Sequence, residues 1–307
     1  MALKTTQEIL FDSLNIEADK QPSTIFILAA PRAGSTSFYK SLIEQFSLPY
    51  IANITNEKYA KDPIVGFAKQ KSENVKISYD SKFGKTKGMF QPSEGSNVFT
   101  NWFGGGHPSQ IVSKAIKKDM QKHFSLTLNG VEKLYGAPLL VKNAWNCFRV
   151  QYLAQALPNA KFIWLQRDIT DAASSDLQAR LITKNDVNSW NSATPANYEQ
   201  LLKRPAIEQV MENQYEFNSA IKNDLKQYAQ NRWLHVWFED YINKPDIVMK
   251  KISSAFKIDQ KKMIDNISLG APEGKKLSLS EQNAIKNYAN IEQNKLRFKD
   301  MFYEGEK

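Results

Sequence analysis

The stretch that most constrains the fold lies at residues 24–30, where every residue is apolar or β-branched. Such a run is typical of a strand that is buried on both faces of a parallel sheet. Pro31 and Gly34 then form a turn, and apolar residues at positions 38, 39, 42, 43 and 46 follow the spacing of an amphipathic helix. The sequence therefore predicts a strand, a tight turn and a helix in direct succession.

Three more segments have the pattern of strands, and helical patterns separate them. The predicted strands are 24–30, 138–142, 161–166 and 233–238, and the predicted helices are 36–46, 109–135, 146–157, 171–182, 195–230 and 245–256. This alternation indicates βαβ units and a parallel sheet that is covered on both faces. We predict a single P-loop-like α/β domain over residues 1–307, with helical insertions, a core at 22–260 and a C-terminal helical extension at 261–307. Residues 48–106 show no clear pattern.

Composition and charge narrow the class of protein. The chain is 42% hydrophobic and 24% charged, as is usual for a soluble globular protein. A net charge of +9 favours an anionic partner, but the lysine pairs are scattered, which is typical of solvated helix faces and predicts no nucleic-acid partner. One cysteine excludes a disulfide scaffold. Without a signal peptide or a run long enough to span a bilayer, the sequence predicts a cytoplasmic protein, and it leaves the oligomeric state open.

The turn after the first strand has the features of an anion-binding site. Backbone N–H groups of such a turn and of the following helix converge on one point, and the helix dipole adds partial positive charge there. Arg32 adds a full charge, and three hydroxyl donors follow at Ser35, Thr36 and Ser37. An ordinary capped strand–helix junction is the alternative. The concentration of Arg, Gly and hydroxyl residues favours the anion site.

The turn does not match the loop that binds nucleoside triphosphates. The Walker pattern G-x-x-x-x-G-K-[ST] requires a glycine and a lysine where this chain has Ala29 and Ser35. The basic residue, Arg32, lies three places earlier than that lysine. The pattern therefore disfavours a kinase or a nucleotide hydrolase that uses Mg²⁺.

The segment Pro31-Arg32-Ala33-Gly34-Ser35-Thr36 resembles the 5′-phosphosulfate loop of sulfotransferases, P-[KR]-[ST]-G-[ST]-[ST]. Ala33 is a departure, since a hydroxyl residue is common at that position. The family uses 3′-phosphoadenosine-5′-phosphosulfate (PAPS) as sulfuryl donor. The resemblance implies that the donor is bound by Arg32, Ala33, Gly34, Ser35, Thr36 and Ser37.

A second resemblance concerns the 3′-phosphate of that donor. Sulfotransferases bind it with an arginine at the end of a strand and a serine eight residues later in the next helix. Arg167 follows the predicted strand 161–166, and Ser175 lies eight residues further on. An arginine–phosphate contact is charge-assisted and can be bidentate. The resemblance extends over most of residues 22–260 and is closest to the bacterial and carbohydrate-type branches.

The resemblance also implies candidates for the transfer step. The family often places a lysine at the end of the second strand, in contact with the transferring sulfonate, and Lys142 holds that position. The histidine that many members use as general base is replaced by Ala144. Other members use a glutamate after the first helix, which Glu57 matches by location, with His107 as the second candidate. We therefore predict Arg32, Lys142 and either Glu57 or His107 as catalytic residues.

The function expected from these features is sulfuryl transfer from PAPS to a hydroxyl or amine group of a small molecule or glycan, without a metal. A P-loop kinase and a non-catalytic binder of adenosine phosphates or polyanions are the alternatives. The aromatic residues Phe99, Trp102 and Phe103 could stack on an acceptor, although the sequence favours a role in the core.

Overall fold

The sheet at the centre of the molecule is parallel, as the sequence predicts. The computed structural model describes residues 4–16, 20–82, 85–104, 114–262 and 276–304. Its strands are β1 (Ile25–Leu28), β2 (Ser81–Lys82), β3 (Lys85–Thr86), β4 (Leu140–Lys142), β5 (Lys161–Gln166) and β6 (Trp233–Trp237). The order β4-β1-β5-β6 forms the central sheet with every pair parallel, and β2 pairs with β3 in a small antiparallel hairpin.

Helices cover both faces of this sheet. They are α1 (Thr6–Ser13), α2 (Ser35–Phe46), α3 (Asn53–Lys58), α4 (Pro63–Lys71), α5 (Ser96–Phe103), α6 (Gln121–Tyr135), α7 (Val150–Ala156), α8 (Ile169–Lys184), α9 (Tyr198–Leu201), α10 (Ala206–Asp224), α11 (Phe238–Asn243), α12 (Pro245–Phe256), α13 (Leu279–Asn290) and α14 (Glu292–Phe298). Short 3₁₀ turns and one π-helical turn connect some of them. No helix in the described ranges is long and apolar enough to cross a membrane.

The central strand β1 is buried on both faces. Phe26 and Leu28 pack into a core with α4 to α7, whereas Ile25 and Ile27 pack into a second core with α2 and α12. Alternate residues of a strand point to opposite faces, so a strand between two helical layers needs apolar residues at every position. A third cluster joins α13 and α14 to α8 and α10.

Two helical predictions differ most from the structure in their extent. The helix predicted over 195–230 is divided into α9, α10 and a π-helical turn at Leu225–Ala229. In the described part of the segment predicted as one helix over 109–135, helical structure begins at Lys118, first as a 3₁₀ turn and then as α6; residues 105–113 lie outside the described ranges. Helix α6 continues without a break through Gly130. A Cβ at Gly130 would lie 2.9 Å from the Ile64 side chain, so the glycine serves close helix packing rather than a break.

The segment without a clear sequence pattern contains α3, α4, the β2–β3 hairpin and α5. The preference for a core role of its aromatic residues is confirmed, since Phe99, Trp102 and Phe103 are all buried. Trp102 donates to Nδ1 of His123 at 2.9 Å. This segment brings its last loop, residues 87–95, towards the end of β4, because Ala52 and Pro92 form a β-bridge and Asn143 donates to the backbone carbonyl of Glu94 at 3.0 Å.

Candidate active site

The loop between β1 and α2 has an unusual backbone. Gly34 caps α2 with a φ of +78°, and Arg32 has a φ of +68°, which is rare for a residue with a side chain. Two left-handed residues in so short a turn direct successive backbone N–H groups towards one side, which is the geometry of an anion-binding nest. Ala33 between them points into the core, where a larger polar side chain would be buried.

Phe238 packs directly on this loop. A Cβ at Gly34 would lie 2.0 Å from the Phe238 ring, so glycine is required there by space as well as by φ. The guanidinium of Arg167 also lies over the Phe238 ring, 5.2 Å from its centroid. Phe238 is the first residue of α11, immediately after β6. The ring therefore connects the loop to the end of β5.

The three residues predicted for the two ends of the donor lie together. Arg32 Nε donates to Ser175 Oγ at 3.3 Å, and Arg167 Nη1 donates to the backbone carbonyl of Arg32 at 3.3 Å. These contacts join residues 143 and 135 positions apart in the chain. Arg167 Nε is buried and has no hydrogen-bond partner among the described residues. A buried guanidinium N–H without a partner fits an anionic ligand.

A buried carboxylate lies behind Arg32. Asp176, the residue after Ser175, is fully buried and accepts a hydrogen bond from Ser192 at 2.9 Å. Burial raises the pKa of Asp176, while the charges of Arg180 and Arg32 act in the opposite direction. Burial likewise lowers the pKa of Arg32, and the negative charge of Asp176 opposes that shift. The negative charge of Asp176 thus favours the protonated, positively charged form of Arg32.

The end of β4 brings a cation to the first turn of α2. Lys142 is 8% exposed, and its Nζ donates to Thr36 Oγ1 at 3.2 Å. The same Nζ forms a short ion pair with the carboxylate of Glu94. Lys142 therefore connects the loop hydroxyl with an acidic side chain from residues 87–95. A lysine, a hydroxyl and a carboxylate beside an anion cradle can support transfer of an anionic group.

Comparison with known proteins shows the family to which the chain belongs. A sequence model of the Sulfotransferase family matches residues 22–262, which is most of the chain. The chain belongs to the sulfotransferase family. No curated protein sequence matches this sulfotransferase at a significant level.

Solved sulfotransferases share its fold. Sulfotransferase STF9 from Mycobacterium avium is 13% identical, with a TM-score of 0.52, over 93% of this chain and 72% of that chain. Sulfotransferase STF1 from Mycobacterium tuberculosis H37Rv is 13% identical, with a TM-score of 0.52, over 95% of this chain and 80% of that chain. The predicted α/β fold with a parallel sheet flanked by helices is confirmed, and so is the prediction of a sulfotransferase family enzyme.

Of the two residues predicted as general base, the structure describes only Glu57. Glu57 is exposed on α3 and has no hydrogen-bond or ion-pair partner in the described part of the chain. His107 lies outside the described residues. The carboxylate that contacts Lys142 is Glu94, which the sequence reasoning missed. One signal pointed to it, since Glu94 is the only acidic residue between Asp80 and Asp119.

Other polar side chains have structural roles. His123 lies between Trp102 and Gln7, and His235 contacts Gln166 at 2.8 Å, with burial lowering its pKa to about 4. Cys147 is buried, and its Sγ donates to the backbone carbonyl of Ala29, just after β1. Burial raises the pKa of the Cys147 thiol to about 12. The described residues contain no cluster of three or more His, Cys, Asp or Glu side chains that could hold a metal ion.

Proposed function

We propose that this sulfotransferase moves a sulfuryl group from PAPS to a hydroxyl or amine group of a small molecule or glycan. The observation that carries the proposal is the convergence of Arg32, Arg167 and Ser175 beside the loop, with Lys142 on the opposite side at Thr36. This gives separate cationic positions for a 3′-phosphate and for a 5′-phosphosulfate. The Walker loop of triphosphate-binding proteins has no residues that correspond to the position for the 3′-phosphate.

The donor's two anionic ends have different partners in this proposal. Arg167 and Ser175 bind the 3′-phosphate, and the unpartnered Nε of Arg167 supplies a further donor for it. Arg32, the backbone N–H groups of residues 34–36 and the hydroxyls of Ser35 and Ser37 bind the 5′-phosphate. The positive charge of Arg32 stabilises the negative charge that develops on the bridging oxygen as the bond to sulfur breaks.

In the transfer step, the acceptor oxygen or nitrogen forms a bond to sulfur while the bond from sulfur to the 5′-phosphate oxygen breaks. Adenosine 3′,5′-bisphosphate leaves with the electron pair. Lys142 and Thr36 contact the transferring sulfonate, and the proton of the acceptor passes to the carboxylate of Glu94. Positioning and charge neutralisation dominate this type of transfer, which proceeds through a loose transition state. The contact between Glu94 and Lys142 supports Glu94 over Glu57 as the base.

Binding and turnover test the proposal separately. Calorimetric titration should show adenosine 3′,5′-bisphosphate binding without Mg²⁺ and much more tightly than ATP. Incubation with PAPS labelled in its sulfonate and a panel of hydroxyl and amine acceptors should then give labelled products. Stabilisation by Mg-ATP alone contradicts the choice of donor. Tight bisphosphate binding without transfer to any acceptor favours the non-catalytic binder.

Glu94→Gln should lower kcat by about a hundredfold or more, because the amide cannot accept the acceptor's proton. Bisphosphate affinity should not fall, since the change removes a negative charge beside the donor site. Steady-state kinetics with PAPS and calorimetry with the bisphosphate measure the two effects.

Glu73→Gln is the matched control, because Glu73 is exposed beyond α4 and outside the site. It should retain wild-type kcat. A large loss of kcat in Glu57→Gln, together with wild-type turnover in Glu94→Gln, would assign the base to Glu57 instead.

A further inference from the structure

Lys40 is a buried cation that the proposed transfer step does not use. It lies on α2, four residues after Thr36, and is only 1% exposed. Its Nζ is buried and has no hydrogen-bond partner in the described ranges. The nearest aromatic contact is the ring of Tyr79, whose centroid is 5.9 Å from Nζ. A buried ammonium without hydrogen bonds is unfavourable unless a ligand supplies them.

The acidic side chains around Lys40 are engaged elsewhere or exposed. Glu44, one turn further along α2, accepts from the hydroxyl of Tyr79 at 2.7 Å. Glu94 is paired with Lys142. Asp80 is exposed and acts on Lys40 only through its charge. Burial lowers the pKa of Lys40 to about 8, Asp80 opposes that shift and Lys142 adds to it. Among the described residues, no carboxylate therefore forms a hydrogen bond with the ammonium of Lys40.

The surroundings of Lys40 are polar and belong to the same side of α2 as the transfer site. Residues four apart lie one above the other on a helix, so Lys40 is about one turn from Thr36 and about 6 Å along the axis. Ser41 Oγ lies 2.7 Å from the hydroxyl of Tyr241 and 3.5 Å from that of Tyr79. Tyr79, whose ring centroid lies 5.9 Å from Lys40 Nζ, therefore takes part in a small hydroxyl network.

We infer that Lys40 binds an anionic group of the acceptor, such as a carboxylate, sulfate or phosphate, about one helical turn from the group that receives the sulfuryl. The acceptor class is then a hydroxylated or aminated molecule that carries its own negative charge. This inference rests on the proposed function, since it takes the end of Lys142 as the transfer site. In the proposed function, the donor's own anionic groups are bound by Arg32, Arg167 and Lys142, so Lys40 is left for the acceptor.

Titration with inorganic sulfate tests the inference without knowledge of the acceptor. Protein saturated with adenosine 3′,5′-bisphosphate is titrated with sulfate at constant ionic strength, and heat is measured. Lys40→Met should weaken sulfate binding at least fivefold and leave bisphosphate affinity within twofold of wild type. Lys40→Arg, which keeps the charge, should retain sulfate binding. The melting temperature of Lys40→Met should not fall, because the ammonium has no partner to lose.

Lys69→Met is the matched control, because Lys69 on α4 also lies over a tyrosine ring, 5.8 Å from the centroid of Tyr59, but is exposed. It should bind sulfate as the wild type does. Sulfate binding that survives in Lys40→Met and is lost in Lys142→Met would place the anion at the donor's sulfonate position and overturn the inference. A loss of PAPS affinity in Lys40→Met, with bisphosphate affinity unchanged, would overturn it too.

The two proposals fail in different ways. A wild-type protein that does not bind the bisphosphate contradicts the choice of donor, whereas sulfate titration of the ligand-free protein still tests Lys40. Wild-type bisphosphate binding with no effect of Lys40→Met on sulfate contradicts only the acceptor class.

Discussion

Arg167→Ala should weaken the binding of adenosine 3′,5′-bisphosphate by about a hundredfold or more. Removing one partner of a desolvated, hydrogen-bonded charge pair costs about 2–5 kcal/mol, which corresponds to such a loss. The guanidinium also holds the loop, because it donates to the backbone carbonyl of Arg32 at 3.3 Å and packs on Phe238. Isothermal titration calorimetry with the bisphosphate measures the loss directly.

Arg204→Ala is the control for this variant. Arg204 is an exposed arginine whose guanidinium lies 3.9 Å from the carboxylate of Glu208, four residues further along the chain. Its bisphosphate affinity should equal that of the wild type. Arg167→Lys should fall between the two, because a lysine keeps the charge and cannot form a bidentate contact. Unchanged affinity in Arg167→Ala would show that the 3′-phosphate assignment is wrong.

Gly34→Ala should disrupt the loop and abolish turnover. A side chain at a φ of +78° costs about 1–2 kcal/mol by itself. The added Cβ would also lie 2.0 Å from the Phe238 ring, and overpacking of this kind costs a further 1–3 kcal/mol or so. Urea unfolding should therefore show a loss of about 2–5 kcal/mol, the sum of the two effects. Bisphosphate binding should be lost in the folded fraction.

Gly136→Ala separates the two contributions. Gly136 follows α6 with a φ of +68°, and a Cβ there would meet nothing within 4 Å. This variant should lose only the conformational part, about 1–2 kcal/mol, and should keep wild-type turnover. Equal destabilisation by the two alanines would mean that the contact with Phe238 does not restrict the loop.

Much of the fold followed from local patterns. The strand at 161–166 and the helix at 245–256 agree with β5 and α12 at both ends, because uninterrupted apolar runs and a proline at the helix start mark the bounds. The secondary structure of residues 48–106 was harder to predict, since α3 and α5 are short and the β2–β3 hairpin has two residues in each strand. Such short elements are stabilised by packing rather than by their own periodicity.

The proposed donor side of the site follows from the resemblance to sulfotransferases, whose motif residues lie at fixed places in regular elements. Arg32 follows β1, and Arg167 follows β5. Neighbouring parallel strands end at the same edge of a sheet, so residues after them meet. The acceptor side could not be predicted in this way. Glu94 reaches Lys142 through an irregular loop, and nothing in the local pattern fixes where such a loop returns.

The amino-acid sequence by itself determined the parallel sheet, because local periodicity marks its strands. The pairing of the loop at residues 31–36 with Arg167 and Ser175 was predicted from the resemblance to sulfotransferases, and the structure brings these residues together. Only the tertiary structure showed that Phe238 closes on Gly34, that Glu94 contacts Lys142 and that Lys40 is buried without a partner. Contact and burial depend on how distant segments pack, and no periodicity of a single segment encodes that packing.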